Sequence, residues 1–243
     1  MGILTTIYND FLYKPLFNAI IFLYNIIPGH DFGIAIIIIT VLIRIILFPL
    51  SIKGVKSRKA LEEIQSKVKE VQSKYKDKKE QAAKLMTLYK ENKVNPASGC
   101  LPLLIQLPII IALYRAFINV INPASLHLLY PFIKNPGVLN TSFLGAINLS
   151  VPNVFLAIIA GILQFIQGKV MTKTSLPAVQ EGKQKAGIQK ALNTQMIYFM
   201  PVITVIIALK LPAGLPLYWA ASTLFGIGEY LLINHKRSLA PQK

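Results

Sequence analysis

Charged side chains are scarce in this chain, and cysteine and histidine are scarcer still. Only 15% of the 243 residues are charged and 53% are hydrophobic, whereas a soluble domain carries about 25% charged residues. Cys100 is the only cysteine, which excludes a disulfide framework and a cysteine-based metal cluster. The three histidines lie far apart in the sequence, so we expect no metal site. This composition favours a membrane protein.

Acidic residues are rarer than basic residues. There are 10 Asp and Glu against 26 Lys and Arg, a formal net charge of +16. Such a balance is also typical of proteins that bind nucleic acid. Here, however, the basic residues cluster between long apolar runs, which is the pattern that membrane topology produces. We therefore expect a lipid bilayer, and no DNA, as the partner.

Five apolar runs are long enough, or nearly so, to cross the roughly 30 Å of hydrocarbon in a bilayer as helices. Several contain proline, which membrane helices tolerate better than soluble helices do. The predicted spans cover residues 32–52, 101–121, 151–168, 195–211 and 215–234. The predicted fold is thus an all-α membrane protein with residues 31–52 as the first span, the other four spans within 95–235, and a short tail at 236–243.

The basic residues predict how the chain is oriented. Residues 53–94 hold thirteen Lys and Arg, and residues 169–193 hold five. Two predicted spans separate the first basic segment from the second, and two more separate the second from the basic tail. All three therefore lie on one side of a five-span protein. The positive-inside rule assigns that side to the cytoplasm. We therefore expect the N-terminus outside and the C-terminus in the cytoplasm.

The first 30 residues contain an apolar stretch that is too short to span. Lys14, Asn18 and Asn25 lie on one helical face, and Phe17 and Ile20 lie on another. This pattern predicts an amphipathic helix that lies in the membrane interface.

The basic segment 53–94 carries two apolar stripes at helical spacing. A charged KDKK run at 76–79 separates them. Two amphipathic helices joined by a short charged turn predict an antiparallel helical hairpin. The first stripe comprises Leu61, Ile64, Val68, Val71 and Tyr75, and the second comprises Ala82, Leu85, Met86 and Tyr89.

Arg44 is the only charge in the run FGIAIIIITVLIRIILFPLSI at 32–52. Its guanidinium stays protonated in proteins, and placing it at the centre of a spanning helix costs about 2.5–3.5 kcal/mol on insertion scales. It lies about 12 Å from the cytoplasmic end of the predicted span, at 1.5 Å per residue. Two explanations are open: a structural arginine bonded to backbone carbonyls, or an arginine that faces a water-filled cavity.

Glu229 is the only acidic residue inside any predicted span. It lies at a similar depth to Arg44 and is a possible partner for it, although a carboxylate near a helix end can also extend to the interface. We favour the extended position for Glu229. Because no acidic residue lies in the span of Arg44 itself, we favour the wet cavity for the arginine.

No catalytic constellation emerges from the sequence. Cys100 has no base near it, no glycine-rich phosphate loop follows a strand, and no zinc-binding histidine pair occurs. We expect neither enzymatic activity nor a cofactor.

Several stretches resemble the YidC family of membrane-protein insertases, over about residues 30–235. They are IIIITVLIRIILFPL with its arginine, the basic hairpin, LYKENKVNPASGCLPLLIQLPIIIALYRAF and FMPVITVIIALKLPAGLPLYW. The resemblance is to a short form, because the region before residue 30 has no room for a large extracytoplasmic domain.

The resemblance implies five spans around a hydrophilic groove that opens to the cytoplasm and the lipid of the bacterial inner membrane. It also implies nascent membrane proteins as substrates, and the ribosome and the Sec translocon as partners. The groove residues that it implies are Arg44, Thr40, Gln167 and Trp219. To these we add Gln164, a neighbour of Gln167 in the third span. The alternative function is a small-anion transporter or channel, although the sequence contains no internal repeat.

Overall fold

The computed structural model describes residues 2–95, 101–120, 123–173 and 195–238. Nine α-helices account for most of this part of the chain. They are α1 (Ile3–Tyr8), α2 (Lys14–Ile26), α3 (Phe32–Glu63), α4 (Gln65–Lys74), α5 (Lys78–Glu91), α6 (Leu101–Val120), α7 (Val154–Lys173), α8 (Met200–Ala208) and α9 (Gly214–Ser238).

Short irregular elements join these helices. A π-helical turn, Asn9–Tyr13, links α1 to α2, and another, Gln195–Phe199, leads into α8. After α6 come a 3-10 turn, Pro123–Leu128, and a small antiparallel hairpin, β1 (Ser142–Phe143) and β2 (Ile147–Asn148). In that hairpin Ser142 pairs with Asn148 and Phe143 pairs with Ile147.

Each of the five predicted spans overlaps a helical segment of the described chain, although the third begins before α7 and the fourth runs past the end of α8. Two helices are long and apolar enough to cross a membrane, namely Phe32–Leu61 and Val154–Met171, and two shorter apolar helices cover Ile105–Val120 and Ile197–Ala208. The last predicted span lies within the 25 residues of α9. That all five segments cross a bilayer stays a prediction.

The helix α3 extends well beyond the predicted first span. Its 32 residues continue through Pro49 to Glu63, a length of about 48 Å at 1.5 Å per residue. The helix therefore runs from the apolar region directly into the basic segment, without a break at residue 52.

The basic segment contains the two helices α4 and α5. Asp77 caps α5, since its side chain accepts a hydrogen bond from the Lys79 backbone N–H at 3.1 Å. The second stripe is only partly placed as predicted, because Ala82 and Met86 are exposed. The small core between the helices is formed by Ala60, Leu61, Ile64, Val68, Leu85, Leu88, Tyr89 and Val94.

The helix α2 packs against α3 and α6. Its Phe17, Ile20 and Ile21 are fully buried, as expected for its apolar face. Asn18, which shares the predicted polar face with Lys14 and Asn25, is buried too. Burial is tolerated because the amide is fully engaged: Nδ2 donates to the Lys14 carbonyl at 2.9 Å, and both ends of the side chain bond to a distant loop.

That loop, residues 128–144, is tied to α2 and to the start of α3, and we call it the loop cap. Asn18 Nδ2 donates to the Leu128 carbonyl and Asn18 Oδ1 accepts from the Tyr130 N–H. Three further bonds join Asn25 Nδ2 to the Lys134 carbonyl (2.7 Å), the Asn140 N–H to Tyr24 Oη (2.9 Å), and the Leu144 N–H to Asp31 Oδ2 (2.6 Å). The loop cap is thus tied to α2 and to the residue that precedes α3.

The helix α7 approaches α8 closely at a glycine. A Cβ on Gly161 would lie 2.4 Å from Val205 Cγ2 and 3.3 Å from the Pro201 carbonyl oxygen. Only a residue without a side chain permits this separation. On its other side α7 packs against α9, which in turn packs against α3. These contacts bring polar residues of three helices together.

Candidate functional site: a polar cluster around Arg44

The Arg44 guanidinium is held by a serine from the last helix. Its Nε and Nη2 donate to Ser222 Oγ at 2.9 and 2.6 Å. Ser222 is buried, and the Arg44 side chain is 21% exposed. A hydroxyl that accepts two charge-assisted bonds fixes both the position and the plane of the guanidinium. Arg44 is therefore oriented toward α9.

Glu229 lies seven residues beyond Ser222 on α9, and its carboxylate faces the same guanidinium. Glu229 Oε2 is 3.8 Å from Arg44 Nη1, and the glutamate side chain is only 7% exposed. The interpretation of Glu229 as extending to the interface is therefore wrong in this structure. The Arg44 charge offsets part of the cost of burying the carboxylate.

Gln167 reaches the cluster from α7 through a gap at Gly226. A Cβ on Gly226 would lie 2.7 Å from Gln167 Nε2 and 3.8 Å from Arg44 Nη1. The missing side chain therefore leaves the space that the amide and the guanidinium share. The cluster, which comprises Arg44, Gln167, Ser222 and Glu229, joins α3, α7 and α9.

A further polar contact joins the same face of α9 to α6. Tyr218 lies one turn before Ser222 on α9, and Gln106 Nε2 donates to Tyr218 Oη. Tyr218 is almost fully buried. The Gln106 bond therefore joins α6 to the face of α9 that carries Ser222.

The other predicted site residues lie near the cluster without bonding to it. Thr40 is buried one turn before Arg44, and its hydroxyl donates to the Ile36 carbonyl of its own helix at 2.6 Å. Gln164 is half-buried one turn before Gln167 on α7. Trp219 is half-buried and packs against the apolar core. Among the described residues, none of these three hydrogen-bonds to Arg44.

The sequence reasoning missed Ser222 and Gly226 as members of the site. A signal was present, because Tyr218, Ser222, Gly226 and Glu229 are spaced four, four and three apart and so share one face of a helix. Three of these four are polar or charged. A polar stripe along an otherwise apolar helix, at the depth of Arg44, would have indicated the partner face.

Arg115, the other arginine of the predicted spans, belongs to a different contact. Arg115 Nη1 donates to Asn9 Oδ1 at 2.8 Å, and the guanidinium lies 4.4 Å from the ring centroid of Tyr13 and 5.6 Å from that of Tyr8. Burial raises the pKa of the Tyr8 phenol above its ordinary value. This cation–π contact joins α6 to the N-terminal region.

Chemically, the cluster offers a fixed positive charge with polar neighbours and one internal negative charge. Within the described ranges no group of three or more His, Cys, Asp or Glu residues could hold a metal ion. A guanidinium oriented in this way can bind carboxylates or other anions. Such a cluster among long apolar helices defines a helical membrane protein.

Comparison with known proteins identifies the family. The family described as "60Kd inner membrane protein" matches residues 22–240. The chain is 35% identical over 211 residues to the membrane protein insertase YidC of Oceanobacillus iheyensis, covering 85% of this chain and 75% of that protein. It is 33% identical over 230 residues to the membrane protein insertase YidC of Fusobacterium nucleatum, covering 93% and 98%. The chain belongs to the 60Kd inner membrane protein family, which confirms the family resemblance.

The fold matches a solved structure as well. A crystal structure of an active YidC insertase with its first transmembrane domain resolved superposes with a TM-score of 0.61 at 27% identity. The match covers 91% of this chain and 45% of that chain. The chain thus spans less than half the length of this solved relative.

Proposed function

We propose that the chain is a membrane-protein insertase, which moves polar ends of nascent membrane proteins across the bacterial plasma membrane and releases their apolar segments into the lipid. The observation that carries the proposal is the Arg44 guanidinium, held by Ser222 between long apolar helices. The relatives named membrane protein insertase support it. No cofactor takes part.

In this proposal α3, α6, α7, α9, and α8 with its preceding turn, cross the bilayer around a hydrophilic groove that opens to the cytoplasm and the lipid. Water in the groove shortens the apolar path that a polar segment must cross, and Arg44 attracts acidic residues of that segment. An apolar segment then stays in the bilayer through its own hydrophobicity. The residues that we assign to the groove are Arg44, Thr40, Gln164, Gln167 and Trp219.

The proposed orientation has the N-terminus outside, with α4, α5 and the C-terminus in the cytoplasm. The hairpin helices carry many basic residues, which favours contact with anionic headgroups or with an acidic partner. We propose that nascent chains arrive here from the ribosome and that insertion occurs with or without the Sec translocon.

The test is insertion by the purified protein alone. Vesicles that contain the protein receive a short single-span substrate with an acidic tail, and protease protection of the tail measures its translocation. We expect protection in these vesicles and none in protein-free vesicles. Absence of protection, together with release of an entrapped small anion, would refute the insertase and favour the anion transporter.

A further inference from the structure

Arg44 has two partners that act differently. Ser222 lies at hydrogen-bonding distance from two guanidinium nitrogens, so it sets the position of the group. The nearest oxygen of Glu229 is 3.8 Å away, which is beyond hydrogen-bonding distance. Glu229 therefore balances charge without holding the guanidinium in place. An ion pair without a hydrogen bond can be exchanged more readily than a bidentate pair.

Glu229 also has unused bonding capacity. Within the described structure its Oε1 has no hydrogen-bond partner although it is buried. In the described parts of 101–238 it is the only acidic residue. An unsatisfied buried carboxylate oxygen is costly, so a purely structural role explains it poorly.

A substrate carboxylate is chemically the same group as the Glu229 side chain. When it approaches Arg44, it meets a guanidinium whose charge is already partly neutralised. It must either displace Glu229 or share the cation with it, and like charges at this separation repel each other. The internal carboxylate thus weakens the binding of every anion at Arg44.

We propose that Glu229 is an internal competitor for Arg44, which acidic residues of the substrate must displace, and that it sets how strongly the protein prefers acidic over neutral translocated segments. This inference rests on the proposed insertase function. Glu229 acts through the charge of Arg44 and does not itself bind the substrate. Its charge, more than its volume, is what matters.

The test compares Glu229→Gln with Asp10→Asn, a matched loss of one negative charge at an exposed residue. Two single-span peptides without tryptophan carry either two aspartates or two asparagines in the tail. Trp219 is the only tryptophan, so its fluorescence in detergent reports peptide binding. We expect Glu229→Gln to raise the acidic-to-neutral affinity ratio about fivefold or more, which is the low end of coupling between two sites. Asp10→Asn should leave the ratio unchanged.

Two further variants separate charge from structure. Glu229→Asp should keep the wild-type ratio, and Glu229→Gln should have no effect on the ratio when Arg44 is replaced by alanine. If the glutamine variant does not fold, Glu229→Met is used with the same expectation. An unchanged or lowered ratio in the folded variant would overturn the competition.

Vesicle insertion of the same peptides distinguishes this inference from the function on which it rests. Normal insertion with an unchanged affinity ratio refutes only the role of Glu229. A raised ratio in a protein that inserts neither peptide refutes the insertase and leaves the charge competition supported.

Discussion

Replacing Ser222 by alanine should disturb the candidate site more than its small volume suggests. The change removes the acceptor of both short bonds from Arg44, at 2.9 and 2.6 Å. Hydrogen bonds to charged groups contribute about 1.5–3 kcal/mol. The two bonds share one oxygen, and the guanidinium is 21% exposed, so water can replace part of the loss. We therefore take the lower part of the range, about 1.5–2 kcal/mol.

The loss of this free energy lowers the rate of insertion only if the guanidinium must be held at that position to bind the substrate. In that case the initial rate for a substrate with an acidic tail should fall about 10- to 30-fold, since 1.36 kcal/mol corresponds to a factor of ten. The rate for the same substrate with a neutral tail should change little. Protease protection in vesicles measures both rates.

The matched control is Thr223→Val, which removes a hydroxyl from the next residue of α9. Its side chain is half-buried and points away from the Ser222 face, so insertion should stay at the wild-type rate. Ser222→Thr retains the hydroxyl and should retain most of the activity. Equal insertion of the acidic substrate by Ser222→Ala and wild type would refute the reasoning, and an equal fall for both tails would make Ser222 a purely structural residue.

Three other predictions follow from the same geometry. Arg44→Ala should impair insertion of acidic tails while the protein stays folded, and Arg44→Lys should be milder because the charge remains; equal losses would show that the planar fork is required instead. With Cys100 replaced by alanine, single cysteines at Asp77 and Asn140 should react with an impermeant thiol reagent from opposite sides of the membrane, and labelling from one side would contradict the five-span topology. Gly161→Leu should lower the melting temperature in detergent, since overpacking costs about 1–3 kcal/mol, and an unchanged melting temperature would show that α7 and α8 can separate freely.

The helices of this chain were predictable because their signals are local. Uncharged runs and stripes at a spacing of three and four depend only on neighbouring residues. The burial of Asn18 was not predictable in this way. Its partners lie 110 and 112 residues further along the chain, and only the folded loop cap brings them to it.

The residues of the site likewise differ in whether the sequence alone could indicate them. Arg44 was recognisable because a charge inside an apolar run is costly wherever its neighbours lie. Ser222 and Gly226 were not, since a serine is common in membrane helices and the role of the glycine is the space that it leaves for Gln167. That space exists only when α7 and α9 are packed together. The burial of Glu229 likewise depends on which face α9 turns toward α3.

The loop cap has a consequence for ion leakage. Five hydrogen bonds join it to Asn18, Tyr24, Asn25 and Asp31, and each contributes about 1 kcal/mol. Opening the loop cap would break all five bonds. Arg44 lies 13 residues after Asp31 on the chain, about 20 Å along α3. In the proposed topology we therefore expect a wet groove around Arg44 to reach the middle of the bilayer while the loop cap restricts water at the far end, so that the membrane keeps its proton and ion gradients as polypeptides pass.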